Sequence, residues 1–139
     1  MVQKISVINQ KGGVGKTTTV HNLCSYLGDK HRVLAVDLDP QANLTIGSAI
    51  DPEDNRNILS VYDGADLKSV MHSREKFDLI PASITLSEFD SYLAAQMGRE
   101  LTVKKIVEPI ESDYDYIIYD CSPTLTLSTI NSLVASDYV

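Results

Sequence analysis

Residues 5–19 read ISVINQKGGVGKTTT, a short apolar run followed by a loop that contains three glycines. Lys16 and Thr17 end the loop and open a segment of helical length. Glycines let successive backbone N–H groups converge, and the N-terminus of the next helix adds a partial positive charge. Lys16 can then reach the outer phosphates of a nucleotide, and the Thr17 hydroxyl can ligate magnesium. A strand before and a helix after favour this phosphate-binding loop over a merely flexible turn.

Apolar runs and helical segments alternate along the rest of the chain, as in a parallel sheet covered by helices. The expected strands are residues 4–9, 32–38, 77–80 and 114–120. The expected helices are residues 17–28, 101–110 and 127–135, with shorter ones at 58–62, at 67–72 and between Pro40 and Gly47. These elements predict an α/β fold of the P-loop NTPase type, with a mostly parallel sheet and helices on both faces.

Two local patterns refine this prediction. Residues 51–55 (DPEDN) read as a turn. Thr85 and Glu88 have the spacing of a capping box, and the apolar residues that follow recur at helical intervals, which predicts a core-facing helix. Those apolar residues are Leu86, Phe89, Leu93 and Met97.

Composition indicates one globular domain over residues 1–139, because the chain is 43% hydrophobic and 22% charged. SDYV at 136–139 resembles the entry to a further strand, so we expect this to be the N-terminal part of a larger sheet. No apolar run approaches the roughly 20 residues that cross a bilayer, which predicts a soluble, cytoplasmic protein. Cys24 and Cys121 have no metal or disulfide spacing, and we expect both to be buried, reduced thiols.

Three aspartates follow predicted strands. Asp37 and Asp39 end the second strand, and Asp120 closes the strand YDYIIYD. Ligands of open parallel sheets collect at the carboxyl ends of the strands, where the glycine-rich loop also lies. Carboxylates are hard oxygen ligands that suit a magnesium nucleotide, often through retained waters. Any one of them alone could be an ordinary turn or cap residue.

The loop departs from the usual pattern GxxxxGK[ST], because Gln10 stands where the first glycine belongs and Lys11 adds a second cation. The sequence KGGVGKT resembles the deviant Walker A motif of the ParA/MinD superfamily of ATPases. That resemblance implies that Lys11 reaches across a dimer interface to the nucleotide of the partner subunit. Without it, Lys11 would read as a solvated loop cation.

The resemblance implies roles for individual residues. Catalysis would fall to Lys11, Lys16 and Asp39, the last of which positions the attacking water. Nucleotide binding would involve Lys11, Gly12, Gly13, Val14, Gly15, Lys16, Thr17 and Thr18. Magnesium would be held by Thr17, Asp37 and Asp120, although Asp37 could instead be structural. PQANLT (40–45) resembles the first switch region and the residues after Asp120 the second, where Ser122 replaces a proline common in relatives and implies less rigidity.

Within the superfamily, VDLDPQANLT and NQKGGVGKTTT look most like the ParA/Soj partition proteins. The implied function is a slow, partner-stimulated Mg-ATPase that dimerises on ATP binding and acts in plasmid or chromosome partitioning. A ParB-type adaptor and non-specific DNA, hence nucleoid association, are implied by resemblance only. The net charge of −7 opposes DNA binding by the visible residues. The alternatives are a non-catalytic, nucleotide-dependent interaction module and a MinD-like division-site ATPase, although no C-terminal amphipathic membrane helix precedes Val139.

Overall fold

A central sheet organises the residues that the computed structural model describes, 1–54 and 56–139. Within them, five strands form the sheet: β1 (Gln3–Val7), β2 (Val33–Asp37), β3 (His72–Ser73), β4 (Asp78–Ile80) and β5 (Tyr116–Asp120). Their order is β1-β5-β2-β4-β3. The β1–β5, β5–β2 and β2–β4 pairs are parallel, and β3 runs antiparallel to β4. The mostly parallel sheet predicted from the sequence is confirmed.

Helices connect the strands. They are α1 (Lys16–Leu27), α2 (Asn43–Gly47), α3 (Ile58–Tyr62), α4 (Leu67–Val70), α5 (Phe89–Leu93), α6 (Thr102–Val107) and α7 (Leu127–Ala135). Shorter 3₁₀ segments lie at Pro52–Asp54, Ile84–Glu88, Arg99–Leu101 and Glu108–Asp113. Among the described residues, no helix combines the length and the apolar character needed to span a bilayer.

Both faces of the sheet are covered. All five residues of β2 are buried, and alternate ones belong to different core clusters. Leu34 and Val36 pack on the side of α5 and α6, whereas Val33 and Ala35 pack on the side of α1. Because successive side chains of a strand point to opposite faces, a strand buried on both sides reads as the continuous apolar run that the sequence shows.

The strand register brings the carboxyl ends of three strands together. Val7 pairs with Asp120 across β1 and β5, and Asp37 pairs with Asp120 across β2 and β5. The Leu38 N–H also donates to the Asp120 carbonyl over 2.9 Å. The glycine-rich loop and both aspartate-bearing strand ends therefore share one edge of the sheet, as predicted.

Several local predictions need correction. The helix expected over 67–72 ends at Val70, and His72 belongs to β3. The capping box at Thr85 and Glu88 is wrong: this segment is a 3₁₀ turn, and the Thr85 hydroxyl accepts a hydrogen bond from Asn57 Nδ2 over 2.8 Å. Met97 is fully exposed, because α5 already ends at Leu93.

Other expected features agree with the structure to differing extents. Leu86, Phe89 and Leu93 are buried as predicted. The predicted turn at 51–55 contains a 3₁₀ segment at Pro52–Asp54, and Asn55 lies outside the described residues. The expected strand entry at 136–139 appears as a parallel bridge between Tyr138 and Ile5 of β1.

Gly28, at the C-terminus of α1, provides a stability prediction. A Cβ built there would lie 1.9 Å from the Lys76 carbonyl oxygen, a backbone atom that cannot move aside freely. We expect Gly28→Ala to lower the free energy of unfolding by about 2–3 kcal/mol, measured by urea denaturation followed by circular dichroism. Gly47→Ala is the matched control, since nothing lies within 4 Å of its added Cβ. Equal denaturation midpoints for the two variants would contradict the prediction.

Candidate functional site

The glycine-rich loop joins β1 to α1 with backbone that only glycine adopts easily. Gly13 has φ +69° and Gly15, the N-cap of α1, has φ +98°. Both values lie in the left-handed region, which carries no steric penalty for glycine. A Cβ at Gly12, Gly13 or Gly15 would meet nothing within 4 Å. The loop is therefore an open cradle at the N-terminus of a 12-residue helix, the arrangement that binds phosphate.

A cavity of about 730 Å³ opens beside this cradle. It gathers residues from the loop, from α1, from the segment after β2 and from the segment after β5. Of the predicted site residues, the cavity is lined by Gly12, Gly13, Gly15, Lys16, Thr17, Thr18 and Asp39. The volume exceeds what a water cluster needs and suits a ligand of small-molecule size.

The two lysines of the loop have different surroundings. Lys16 lines the cavity, and its Nζ donates to the Lys11 carbonyl oxygen over 3.2 Å. Lys11 is exposed and does not line the cavity, while its backbone N–H donates to Asn9 Oδ1 over 2.9 Å. Val14 is 46% exposed and also lies outside the cavity wall. The structure thus brings Lys16 to the site and leaves the side chain of Lys11 at the surface.

Asp120 is buried at the end of β5, near Thr17 and Lys16. Within residues 1–54 and 56–139, neither of its carboxylate oxygens has a hydrogen-bond partner. Burial raises the pKa of Asp120 to about 6. The nearby Thr17 hydroxyl, which does not reach hydrogen-bond geometry, and the Lys16 ammonium both act to lower this pKa. Leaving a carboxylate buried and unpaired is costly. A cation beside Thr17 and Asp120 would remove that cost.

Asp37 is buried as well, but the protein itself satisfies it. Its Oδ1 accepts from the Asp39 N–H over 3.1 Å, and its Oδ2 accepts from the Thr45 N–H over 3.0 Å and the Thr45 hydroxyl over 2.7 Å. Burial raises the pKa of Asp37 to about 7, against the effect of the Thr45 hydroxyl. Of the two roles left open for Asp37, these contacts favour the structural one.

Asp39 stands at the cavity wall on a tightly turned segment. Its Oδ1 accepts from the Gln41 N–H over 2.9 Å, and its carbonyl accepts from the Ala42 N–H over 2.8 Å. Ala42 has φ +53°, an unusual value for a residue with a Cβ. The Asp39 carboxylate is therefore held in place while it still faces the cavity.

The donor set suits magnesium shared with a ligand better than a metal held by protein alone. Among the described residues, no group of three or more histidine, cysteine, aspartate or glutamate side chains could enclose a metal ion. Magnesium usually keeps several waters and binds one or two carboxylates together with substrate phosphates. The Thr17 hydroxyl and the unpaired Asp120 carboxylate fit that mode.

Some cavity residues were not predicted as site residues. They are His21, Asn22, Gln41, Asn43, Leu44, Gly47 and Pro123. His21 and Asn22 lie one helical turn beyond Thr18, and the Asn22 side chain donates to the Thr18 carbonyl over 2.8 Å. The three- and four-residue spacing along α1 was the signal that could have revealed them. Gln41, Asn43 and Leu44 belong to the segment 40–45, which resembles the first switch region.

The remaining sequence features are structural. Cys24 and Cys121 are buried and unbridged, as predicted, and burial raises the pKa of the Cys121 thiol to about 11. The Ser122 hydroxyl shares a 2.9 Å hydrogen bond with the Thr124 hydroxyl. This hydrogen bond lies within the segment that follows β5 and links two of its residues.

Comparison with known proteins places this geometry in context. A family model described as an AAA domain matches residues 2–139. The sporulation initiation inhibitor protein Soj of Bacillus subtilis is 44% identical over 142 residues, which cover 97% of this chain and 55% of that protein. The chain therefore spans about half the length of the curated relatives it matches.

Solved structures show the same fold. Cobyrinic acid a,c-diamide synthase from Mycobacterium smegmatis, with bound ADP and magnesium, superposes with a TM-score of 0.94 at 35% identity and covers 98% of this chain and 57% of its own. A plasmid partition protein from Borrelia burgdorferi superposes with a TM-score of 0.88 at 29% identity, covering 99% of this chain and 63% of its own.

Proposed function

Because this chain belongs to the AAA-domain family of ParA/MinD type, we propose that it is a Mg-ATPase whose nucleotide state controls dimerisation. The observation that carries the proposal is the open glycine cradle together with the buried carboxylate of Asp120, which lies near Thr17 and has no hydrogen-bond partner among the described residues. A nucleotide phosphate chain would fill the cradle, and its divalent counterion would neutralise the Asp120 carboxylate. The cofactors are ATP and Mg²⁺, in line with the ADP and magnesium bound to the Mycobacterium smegmatis relative.

Different residues of the loop would contact different phosphates of the nucleotide. Backbone N–H groups of residues 12–18 and the dipole of α1 face the phosphates, and the Lys16 ammonium neutralises the outer ones. Thr18 contacts the inner phosphate, as the family resemblance implies. Lys16 now donates to the Lys11 carbonyl, and it would exchange that neutral acceptor for phosphate oxygens, which form stronger, charge-assisted hydrogen bonds.

Magnesium would be held by the Thr17 hydroxyl and, directly or through water, by Asp120. Bound there, it would neutralise charge on the phosphates during phosphoryl transfer. Asp37 would act one step behind the metal by fixing the segment that carries Asp39, since both of its oxygens already accept hydrogen bonds. Asp39, at the cavity wall, would orient the attacking water.

Lys11 would act in a second subunit. Lys11 is exposed and does not line the cavity of its own chain, so a contribution to phosphate binding is simplest from across an interface. A second cation would offset the charge that one loop leaves uncompensated and the charge that develops in the transition state. ATP binding would then join two subunits, and hydrolysis would release them.

Removing Lys11 tests the switch. We expect wild-type protein with magnesium and a nonhydrolysable ATP analogue to elute as a dimer in size-exclusion chromatography with light scattering. Lys11→Ala should elute as a monomer under the same conditions. At protein concentrations low enough to keep wild type monomeric, it should still bind a fluorescent ATP analogue within about threefold of wild-type affinity, because Lys11 does not line the cavity of its own chain.

Two further variants make this experiment decisive. Lys30→Ala removes another exposed lysine outside the cavity wall and should leave the dimer intact. Lys16→Ala removes the cation that lines the cavity and should abolish nucleotide binding. The switch hypothesis fails if Lys11→Ala dimerises like wild type, or if wild type remains monomeric with every nucleotide.

The cellular role follows the family. Relatives described as chromosome-partitioning and plasmid partition proteins support a place in chromosome or plasmid partitioning, with a slow hydrolysis step that a ParB-type adaptor would stimulate. Binding to non-specific DNA, and with it nucleoid association, belongs to the same proposal and rests on family resemblance.

Two other functions remain open as alternatives. A non-catalytic interaction module would bind nucleotide and dimerise without releasing phosphate. A MinD-like division-site ATPase would hydrolyse ATP but associate with anionic vesicles instead of DNA. Phosphate release, followed by co-sedimentation with DNA or vesicles, separates the three functions.

A further inference from the structure

Thr45 joins three elements through hydrogen bonds that are completely buried. Its hydroxyl donates to Asp37 Oδ2 over 2.7 Å and accepts from the Ala82 N–H over 2.9 Å. Its own backbone N–H donates to the same Asp37 oxygen over 3.0 Å. Thr45 and Asp37 are both inaccessible to solvent. One hydroxyl therefore connects the segment after β4 with the carboxylate at the end of β2.

The connection continues to the cavity. Asp37 Oδ1 accepts from the Asp39 N–H over 3.1 Å, and Asp39 lines the cavity. Thr45 itself does not line it and can touch no ligand there. A path of three hydrogen bonds thus runs from Ala82 through Thr45 and Asp37 to the backbone of the residue proposed to orient water.

The far end of this path is also anchored. Ser83, next to Ala82, is buried, and its hydroxyl accepts from Asn57 Nδ2 over 2.7 Å. Asn57 is the N-cap of α3, where its Oδ1 accepts from the Leu59 N–H over 2.8 Å. The segment after β4, whose Ala82 N–H holds the Thr45 hydroxyl, is therefore fixed to α3, and Ala82 and Ile58 belong to the same core cluster. The hydroxyl thus has a well-anchored support.

We propose that Thr45 is a positioning residue for hydrolysis: its hydroxyl holds the Asp37 carboxylate, which in turn fixes the backbone of Asp39. The proposal rests on the function proposed above for Asp39. It predicts that loss of the hydroxyl slows hydrolysis and spares nucleotide binding, because the phosphate-binding loop makes none of these contacts.

Thr45→Val provides the test, because valine keeps the shape and the methyl group and removes only the hydroxyl. Asp37 then loses one donor and the Ala82 N–H loses its acceptor. We expect single-turnover ATP hydrolysis to slow by about tenfold or more, the range typical of lost supporting hydrogen bonds behind a metal site. Affinity for a fluorescent nonhydrolysable analogue should stay within about threefold of wild type.

Two controls separate positioning from general destabilisation. Thr45→Ser restores the hydroxyl and should hydrolyse ATP within about threefold of wild type. Thr102→Val removes another buried threonine hydroxyl, which donates to the Arg99 carbonyl over 3.0 Å in α6, away from the cavity wall, and should hydrolyse at the wild-type rate. The positioning role is refuted if Thr45→Val hydrolyses normally, or if Thr45→Ser is as slow as Thr45→Val.

A second measurement keeps this inference distinct from the proposed ATPase function. Backbone amide hydrogen exchange should be at least about tenfold faster at Asp39 and Ala82 in Thr45→Val than in wild type, without any nucleotide. If wild type releases no phosphate, the ATPase proposal fails, and unchanged exchange at Asp39 in Thr45→Val then refutes the positioning path as well. Faster exchange at Asp39 would support the hydrogen-bonded path from Thr45 to Asp39 even if wild type releases no phosphate.

Discussion

Asp39→Ala is expected to slow ATP hydrolysis by about a hundredfold while nucleotide binding stays within about threefold of wild type. Asp39 lines the cavity from the segment after β2, whereas the proposed phosphate-binding contacts come from the glycine-rich loop and the start of α1. Removing the carboxylate leaves the cradle, Lys16 and Thr17 in place. The chemical step should therefore suffer without a matching loss of affinity.

Single-turnover phosphate release and fluorescent analogue binding, measured on the same preparation, check this prediction. Asp66→Ala is the matched control, because it removes an exposed carboxylate that does not line the cavity. A parallel loss of binding and hydrolysis in Asp39→Ala would mean that Asp39 supports the bound nucleotide instead of the attacking water.

Asp120→Asn should stabilise the metal-free protein and abolish its response to magnesium. Burial raises the pKa of Asp120 from 3.8 to about 6. Between those values the folded state binds more protons than the unfolded state, so the free energy of unfolding falls as pH rises through this window and stays low above it. A shift of this size corresponds to about 2–3 kcal/mol, which asparagine would recover at pH 8 because it carries no charge.

Urea denaturation of wild type and Asp120→Asn at pH 4, 6 and 8, with chelator or with excess magnesium and ADP, measures both effects. The advantage of the variant in chelator should grow from pH 4 to pH 8, and magnesium with ADP should stabilise only wild type strongly. Burial is the largest cause of the raised pKa of Asp37, and the charge of Asp120 contributes less, so the difference between the two proteins reports mainly on Asp120. A pH-independent difference would contradict the prediction, and Asp66→Asn should show no advantage at any pH.

Sequence patterns predicted the parts of this molecule that local chemistry determines. The strands β2 and β5 were predictable because strands buried on both faces need continuous apolar residues. The strand–loop–helix unit around Lys16 was predictable from its glycines and the lysine that opens the helix. Placing Asp37, Asp39 and Asp120 at one edge followed from the geometry of parallel sheets.

Features that depend on distant contacts escaped prediction. The segment at 84–88 forms a 3₁₀ turn and not a capped helix, and Thr85 bonds instead to Asn57 in another element. The different surroundings of the two buried aspartates were also not predictable. Only the tertiary structure shows that Asp37 accepts hydrogen bonds and that Asp120, among the described residues, accepts none. The proposed action of Lys11 in a second subunit is a prediction that awaits the dimerisation experiment.

The position of β5 between β1 and β2 bears on how the protein is made. Gln3 and Val33 both pair with Tyr116, so β1 and β2 can enter one sheet only through β5, which is synthesised long after them. Such long-range pairings slow folding. We therefore expect the glycine-rich loop of the nascent chain to bind nucleotide only after β5, which ends at Asp120, has been synthesised and has joined the sheet.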